Sequence, residues 1–482
     1  MKQLVQSYRT GALRLEEAPV PALRPAGLLV RNAFSLISPG TERAQRELAR
    51  ASLLTKARRR PEHVRQVLRS LRQEGWRTTF RKVFDRLDTP VAVGYCSAGT
   101  VLEASREVSG FALGDRIACA GEGHGAHAEV VYVPRTLCAH VPENVPLEHA
   151  AVAPLGAIAL ESLRMAGVQL GERVAVLGLG MVGLLVVQLL EAAGCHVLAA
   201  DFDPERINRA RELGAAAACE VEHLEIAAGD FTRGRGVDAV LLTATSDRNE
   251  PVEWAGRIAR ERGRVVAVGA FPLEIPRRTY YEKELTFTVS RAFGPGTYDP
   301  DYLERGRDYP YSYVRWTAGR HLEEFLAQLA RGRVRVEPLL THRFPIERAP
   351  DAYRLLEDRD AHPLGILFSY QADKPLSHAP VHLTPAPRPL TGKQALRVGV
   401  VGAGKFAQTY LLPHLRNRGV ELAAVATASA PSAAQVARKF GFQQATCDAE
   451  AVIDDPGIQG VLIATRHDLH ARLAARALRA GK

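Results

Sequence analysis

The segment that most constrains this chain is Gly178-Leu179-Gly180-Met181-Val182-Gly183. It follows Arg173-Val174-Ala175-Val176-Leu177, an apolar run of strand length, and it opens a helical pattern from Met181 to Ala193. In such a turn the first glycine permits the tight bend. The second lets the backbone approach a pyrophosphate, and the third lets helix and strand pack closely. The helix N-terminus then offers N–H groups and a positive dipole end to the phosphates. The next strand, His196 to Asp201, ends in an acid placed to accept ribose hydroxyls. A bound dinucleotide is therefore expected on Gly178, Gly180, Met181, Val182, Gly183 and Asp201. Asp201 favours NAD, because a carboxylate repels a 2′-phosphate. Arg206 nearby keeps NADP as the alternative cofactor.

Around this turn the chain changes texture several times. Residues 1–147 read as short strands punctuated by glycine, with Leu28–Ala33, Arg116–Ala120 and Val130–Val133 as examples and Ser38-Pro39-Gly40-Thr41 as a turn. They are interrupted at 43–88 by basic segments of helical periodicity, with Leu48, Leu53, Leu54, Val64, Val67, Leu68 and Leu71 among arginines. Residues 148–290 alternate helix and strand, with helices at Ala150–Met165 and from Pro204 and strands at Val237–Thr243 and Arg264–Gly269. That order implies a parallel, doubly wound sheet. Residues 291–370 hold a Tyr-rich stretch, a helix (Leu322–Ala330) and a last strand (Gly365–Tyr370). Residues 371–395 collect prolines as a linker does. A second strand-and-glycine unit then runs from 396 to 482, through Leu396–Val401 into Gly402-Ala403-Gly404-Lys405-Phe406-Ala407. Its next strand, Leu422–Thr427, lacks the terminal acid, so Gly402 and Gly404 mark a second candidate cofactor turn with a different preference at the ribose.

The net charge of +10 invites a nucleic-acid reading, but its distribution argues against one. Fourteen basic residues against five acidic ones between Arg43 and Asp88 supply nearly all of it. The remainder is close to neutral, so no protein-wide footprint for nucleic acid is expected. The insert could instead meet phosphates or an anionic membrane surface. The six cysteines form no C-x-x-C pair and no zinc-type spacing, and they read as reduced, mostly buried thiols. No apolar run reaches the ~18–20 residues of a membrane helix. The N-terminus has no signal-peptide core. A cytoplasmic location is the expectation.

Three further features carry a family resemblance: Gly114-Asp115-Arg116-Ile117, then Ala126-His127-Ala128-Glu129 ahead of Val133-Pro134, and the helix before Gly178. Through them residues 1–370 resemble the medium-chain dehydrogenase/reductase family, which includes the zinc alcohol dehydrogenases. Residues 396–482 resemble the start of the glucose–fructose oxidoreductase/inositol dehydrogenase family, through Gly402-Ala403-Gly404 and Ala464-Thr465-Arg466-His467-Asp468-Leu469-His470. The tandem is similar to bi-domain oxidoreductases among bacterial surface-polysaccharide proteins. The resemblance implies an α/β chain: a GroES-like β-barrel domain split around a Rossmann doubly wound parallel sheet, followed by a second, incomplete Rossmann domain, the sequence being truncated after Lys482. It implies a homodimer through the sheet edge near Leu285-Thr286-Phe287. The backbone around Val268, Gly269, Ser290 and Arg291 is expected to border the nicotinamide, with Gly269 and Ser290 as cofactor contacts.

The departures from the family bear on chemistry. Where a zinc alcohol dehydrogenase carries an early Cys, a Gly-His-Glu step and a third ligand, this chain has Ser38, Gly94-Tyr95-Cys96 and Leu155-Gly156-Ala157. A catalytic zinc takes about three protein ligands plus an open position, so no metal is expected. Hydride chemistry then needs a protein group to position the substrate oxygen and one to move a proton. Tyr95, His127 and Ser38 are the candidates, from a set that also holds Thr41, Glu42 and His124. Tyr95 is read as a hydrogen-bond donor and His127 as a proton relay, since imidazole titrates near neutrality. Against this, each could be ordinary packing of a barrel. Tyr298, Tyr302 and Trp316 could stack on a sugar or base, or simply pack a domain junction. The expected function is zinc-independent NAD(P)-dependent oxidation or reduction of a hydroxyl/carbonyl pair on a small molecule, a sugar or nucleotide-linked sugar. A quinone or enoyl reductase and a non-catalytic cofactor-binding scaffold are the alternatives.

Overall fold

The structure is a computed structural model describing residues 1–7, 10–50, 90–358, 361–371, 379–382, 396–415 and 420–482. Most of the basic 43–88 segment and of the Pro-rich 371–395 segment lies outside the described residues.

The sheet behind the first glycine turn has six strands: β9 (Arg173–Leu177), β10 (His196–Asp201), β11 (Ala217–Glu220), β12 (Val237–Leu242), β13 (Ala259–Ala267) and β14 (Thr286–Val289). Their spatial order is β11-β10-β9-β12-β13-β14 and every pairing is parallel. The chain starts in the middle of the sheet, builds outward one way, then crosses back and builds the other way. The crossover lies between β9 and β12, and ligands bind at such a reversal, at the carboxyl ends of the strands. Buried on both faces, β9 and β12 are nearly continuous apolar runs, as central parallel strands must be. Helices Ala153–Ala166 and Met181–Ala192 cover one face; helices Leu224–Thr232 and Glu250–Ile258 cover the other.

The barrel-like part has two sheets. In one, β1 (Lys2–Ser7) lies between β2 (Leu13–Glu17) and β4 (Pro90–Ala92). The other runs β15-β16-β3-β5-β6-β8, with β7 also paired to β3. Here β3 is Gly27–Ile37, β5 Cys96–Ala104, β6 Arg116–Ala120, β7 Val130–Pro134, β8 Cys138–His140, β15 Leu340–Pro345 and β16 Gly365–Ser369. Strand β3 from the N-terminal part thus pairs antiparallel with β16, beyond the Rossmann sheet in sequence. The carboxyl-terminal sheet runs β17-β20-β19-β18-β21, from β17 (Val381–His382), β18 (Leu396–Val401), β19 (Val420–Ala426), β20 (Gln444–Thr446) and β21 (Gly460–Ile463). Apart from the antiparallel β17 it repeats the first four positions of the Rossmann order.

Three local expectations shift. Ser38 to Thr41 is no free turn: Pro39 opens a helix reaching Arg50. Proline is well placed there because a first-turn N–H has no intrahelical partner. The Glu42 carboxylate returns to accept the Ser38 N–H at 3.3 Å, which closes the helix start. The helix expected from Ala150 to Met165 is broken, with Leu147–Ala150 followed by Ala153–Ala166 and Pro154 in the new first turn. Strand β13 begins five residues before Arg264, because its polar first half projects beyond the core.

The first two arginines of the basic segment are structural. Arg43 Nη2 donates to Leu356 O at 2.7 Å, and Arg46 Nη1 to Tyr353 O at 3.0 Å. Both carbonyls belong to the last turns of helix Ala349–Glu357, where cations complement the dipole.

Candidate active site

Each glycine of the first turn meets the demand made of it. Gly178 has φ +98°, and a Cβ there would lie 2.6 Å from Ala244 N. A Cβ on Gly183 would fall 1.9 Å from Gly178 O, so strand and helix touch through this residue. A Cβ on Gly180 would meet nothing within 4 Å, leaving the backbone open where phosphates would approach. Met181 and Val182 begin the helix just beyond it. Thr243, at the end of β12, locks the turn by donating to Gly178 O at 2.6 Å. Sequence reasoning passed over Thr243, although its place at the carboxyl end of the strand beside β9 was a usable signal.

Asp201 is buried and holds the turn together. It accepts the Leu179 N–H at 2.5 Å, the Phe202 N–H at 2.8 Å and the Asp203 N–H at 3.1 Å. Three backbone donors thus hold both of its oxygens at the carboxyl end of β10. Arg206 is engaged by Asp203, Nε to Oδ2 3.4 Å, and His362 Nδ1 approaches the same oxygen at 3.1 Å. Neither Asp203 nor His362 was singled out from sequence. At the far end of the sheet Gly269 passes so close to β12 that a Cβ would meet Ala244 O at 1.8 Å. Ser290 is buried with its Oγ unpartnered, at the carboxyl end of β14. These features fit a dinucleotide lying across the strand ends, with the open Gly180 at its middle and an unspent hydroxyl at Ser290.

Ser38, Thr41 and Tyr95 converge. Tyr95 Oη donates to Thr41 Oγ1 at 3.3 Å, and Ser38 Oγ lies 3.4 Å from Thr41 Oγ1. Burial holds the Tyr95 phenol far above its ordinary pKa, so it stays protonated and acts as a hydrogen-bond donor. Its backbone is clasped by a glycine-rich loop: Gly121 N donates to Tyr95 O at 3.0 Å, and a Cβ on Gly125 would meet Tyr95 backbone at 2.8 Å.

His127 is placed apart from these hydroxyls. It is fully buried, with Nδ1 2.7 Å from Ser35 Oγ and Nε2 3.4 Å from Glu42 Oε1. Ser35 Oγ also lies 2.6 Å from Tyr370 Oη. The Tyr353 hydroxyl donates to the other Glu42 oxygen. A consistent proton arrangement runs from Tyr370 to Ser35 to His127 Nδ1, with His127 Nε2–H donating to Glu42. Ser35, Tyr353 and Tyr370 were missed, being separated from their partners by up to 335 residues of chain. His124 sits beside Tyr132, and burial lowers its pKa. Of the aromatic candidates, Tyr302 is core: it is 1% exposed, donates to Thr136 O and accepts from Gly319 N. Trp316 carries Arg164 at 3.2 Å and Arg315 at 3.6 Å. Tyr298 is exposed.

The second turn is built differently. Gly402 has φ +87° and would clash with Ala464 backbone at 2.7 Å if it bore a Cβ, while Gly404 is open like Gly180. The helix begins with a wider π turn over Ala407–Leu411. Thr427, where the first unit has Asp201, spends its hydroxyl on Ser429 O at 2.9 Å.

Residues 181–305 match the zinc-binding dehydrogenase family. Residues 396–482 match the oxidoreductase family with an NAD-binding Rossmann fold. The fold is that of medium-chain dehydrogenase structures, followed by a second Rossmann-type unit. Among curated relatives, (R,R)-butanediol dehydrogenase of Bacillus subtilis is 31% identical over 150 residues, 26% of this chain and 43% of that protein. An alcohol dehydrogenase of Geobacillus stearothermophilus is 30% identical over 206 residues, 41% of this chain and 58% of that protein. The chain thus spans about half the length of the curated relatives it matches. Among solved structures, the alcohol dehydrogenase of Thermus sp. ATN1 superposes with a TM-score of 0.57 at 21% identity, covering 77% of this chain and 100% of that one. An NADP-bound structure from Sinorhizobium meliloti gives 0.56 at 21% identity, covering 77% and 99%.

The family's zinc can be tested against these residues. At the expected ligand positions stand the Ser38 hydroxyl, the Tyr95 phenol and Gly156, where a would-be Cβ would lie 2.1 Å from the Phe325 ring. Cys96 is adjacent, but one thiol cannot supply the roughly three protein ligands a catalytic zinc takes. This donor set does not fit zinc. Among the described residues a cluster of metal-ligand type occurs only at Glu148, His149 and Glu337, on the surface. Arg343 bridges both carboxylates there and compensates their charge. Among the described residues no helix is long and apolar enough to cross a membrane.

Proposed function

We propose that this protein is an NAD(P)-dependent oxidoreductase that interconverts a hydroxyl and a carbonyl on a small molecule without a metal, and that Ser38, Thr41 and Tyr95 take the place of the zinc. The observation that carries the reading is the convergence of these three oxygens, with the Tyr95 ring 6.3 Å from that of Phe293, three residues beyond Ser290. The nicotinamide, when bound, supplies or accepts the hydride. Gly178, Gly180, Met181, Val182, Gly183 and Asp201 hold the dinucleotide, with Gly269 and Ser290 at its nicotinamide end. With substrate bound, the Tyr95 hydroxyl turns from Thr41 to the substrate oxygen, and Tyr95 and Thr41 both donate to it as negative charge grows, as oxyanion-type donors do. The phenol is held protonated, so Tyr95 stabilises that oxygen as a donor, and the proton that completes the hydroxyl, or leaves it in the reverse direction, is exchanged with water. Glu42, fixed by Tyr353 and His127, anchors the helix start that carries Ser38 and Thr41. His127 thus serves the site by holding Glu42. NAD is the preferred cofactor, because the Asp201 carboxylate at the end of β10 repels a 2′-phosphate. Self-association along the exposed β14 edge is part of the same proposal, and sedimentation reads it directly.

The test uses chelator-treated protein whose metal content is measured, assayed with NAD(H) and NADP(H) on paired polyols and ketoses, sugar nucleotides, enones and quinones. Turnover on a hydroxyl/carbonyl pair without metal is expected. Tyr95→Phe should lower kcat by roughly 100-fold, the scale of one lost oxyanion donor, and leave NADH affinity unchanged. Metal-dependent turnover, or turnover confined to enones and quinones, would reject the proposal.

A further inference from the structure

The loop after β14 contains a cation that the reading above leaves without a task. Between Arg291 and Arg320 there are five arginines. Three are ion-paired: Arg305 and Arg307 with Asp301, and Arg320 with Asp308. Arg291 and Arg315 are held by rings. The Arg291 guanidinium lies 3.8 Å from the Tyr298 ring centroid, and among the described residues it has no carboxylate within salt-bridge distance. It is exposed, as is Tyr298.

Its place in the fold gives the charge meaning. Arg291 follows Ser290, whose N–H is tied to Ala267 O at 2.8 Å at the carboxyl edge of the parallel sheet. Two residues on, Phe293 is buried with its ring 6.3 Å from that of Tyr95. Arg291 therefore stands between the nicotinamide end of the dinucleotide site and the aromatic wall of the hydroxyl cluster. The loop is fixed there: Gly294 N donates to Arg291 O at 3.0 Å, and Thr297 Oγ1 donates to Gly294 O at 2.7 Å. Gly294 has φ +89°, and a Cβ on it would lie 2.7 Å from Glu161 Oε2. An arginine stacked on an aromatic face keeps its edge N–H groups free in a fixed fork, which matches a carboxylate or phosphate. The adenosine end of the site is claimed by Asp201, on the opposite side of the sheet crossover.

We infer that the substrate is an anion, a hydroxy compound bearing a phosphate or carboxylate away from the reacting carbon, and that Arg291, oriented by Tyr298, binds that group. This rests on the proposed function for where the reacting carbon lies; the anion site itself does not. The experiment titrates two matched pairs, sorbitol against sorbitol 6-phosphate and glycerol against glycerol 3-phosphate, into the full chain with and without NADH. Wild type should bind the anionic member roughly ten- to hundredfold more tightly than the neutral one, the range of a charge-assisted hydrogen bond. Arg291→Met should abolish that preference, Arg291→Lys should keep part of it, and Tyr298→Leu should weaken it while the charge remains. NADH affinity should be the same in all four proteins. Equal affinity for both members in wild type, no binding of either, or a preference that survives in Arg291→Met overturns the inference. Loss of NADH binding in Arg291→Met also overturns it, since the guanidinium would then serve the cofactor. Absence of NADH binding in wild type refutes the cofactor reading instead, and the anion preference is still read on the protein alone.

Discussion

The two glycine turns of this chain share a pattern and differ in what surrounds it. In the first, Gly183 lets the helix touch the turn, Thr243 locks the carbonyl of Gly178, and Asp201 gathers three backbone N–H groups. In the second, the place of Gly183 is taken by Ala407, which is buried, and the helix opens with a wider turn starting at that residue. A methyl group where the first unit has a hydrogen leaves no room for the same approach. No acid follows β19, and the Thr427 hydroxyl is spent locally. The glycine spacing therefore marks a shape, and the carboxylate and the third glycine are what set the first turn apart from the second.

The strongest way to break this comparison is Gly183→Ala. Its Cβ would stand 1.9 Å from Gly178 O, and neither backbone can give way cheaply. Overpacking of this kind costs about 1–3 kcal/mol, so NADH affinity should fall up to roughly 100-fold, read by calorimetry. The converse change, Ala407→Gly, should leave that titration unaltered. Next in size is Asp201→Asn. The amide keeps the shape but loses the charge, and each charged hydrogen bond is worth about 1.5–3 kcal/mol. NADH should weaken roughly tenfold or more, while NADPH changes little, so the ratio of the two affinities moves toward NADPH.

Acid should separate the two units as well. His321 is fully buried; its Nδ1–H donates to Phe293 O at 2.9 Å, and its Nε2 accepts from Arg164 Nε at 3.0 Å. Burial, reinforced by Arg164 and Arg315, lowers its pKa to about 4. Between the ordinary value of 6.5 and about 4 the unfolded chain binds the proton and the folded one does not. Stability therefore falls as pH drops through that window, by at most about 3 kcal/mol. Glu161, beside His321, opposes this: burial raises its pKa, so protonating it favours the folded state. Denaturation of wild type and His321→Gln across pH 4–6.5 isolates the histidine, and the slope should flatten in the variant. Among the described residues the unit from Leu396 onward buries no histidine, so its transition should lack this slope. The smallest effect belongs to Arg206→Ala. Because Arg206 is already paired with Asp203, and such pairs are worth about 0–1 kcal/mol, NADPH affinity should shift less than roughly fivefold.

What was legible in the sequence was local. Arg173–Leu177, the three glycines and Asp201 lie within thirty residues, and each role follows from backbone geometry at its own position. Tyr95 and Ser38 stood out only because a family pattern expects ligands there. The surroundings of His127 were not legible, since Ser35, Glu42, Tyr353 and Tyr370 meet only when β3 pairs with β16 across the whole intervening Rossmann sheet. The same pairing shows why a lone histidine in a barrel strand is ambiguous: its partners come from the far end of the fold. Tyr302 stayed open between stacking on a ligand and packing, because nothing in its neighbourhood announced the Thr136 and Gly319 backbone groups that consume its hydroxyl.

The most direct test of the account is calorimetric titration of NADH into the chelator-treated full chain, in wild type, Gly183→Ala and Gly404→Val. The account predicts a site in wild type that weakens by up to roughly 100-fold in Gly183→Ala and is retained in Gly404→Val. No binding in wild type, or a site that survives Gly183→Ala and disappears in Gly404→Val, would contradict it.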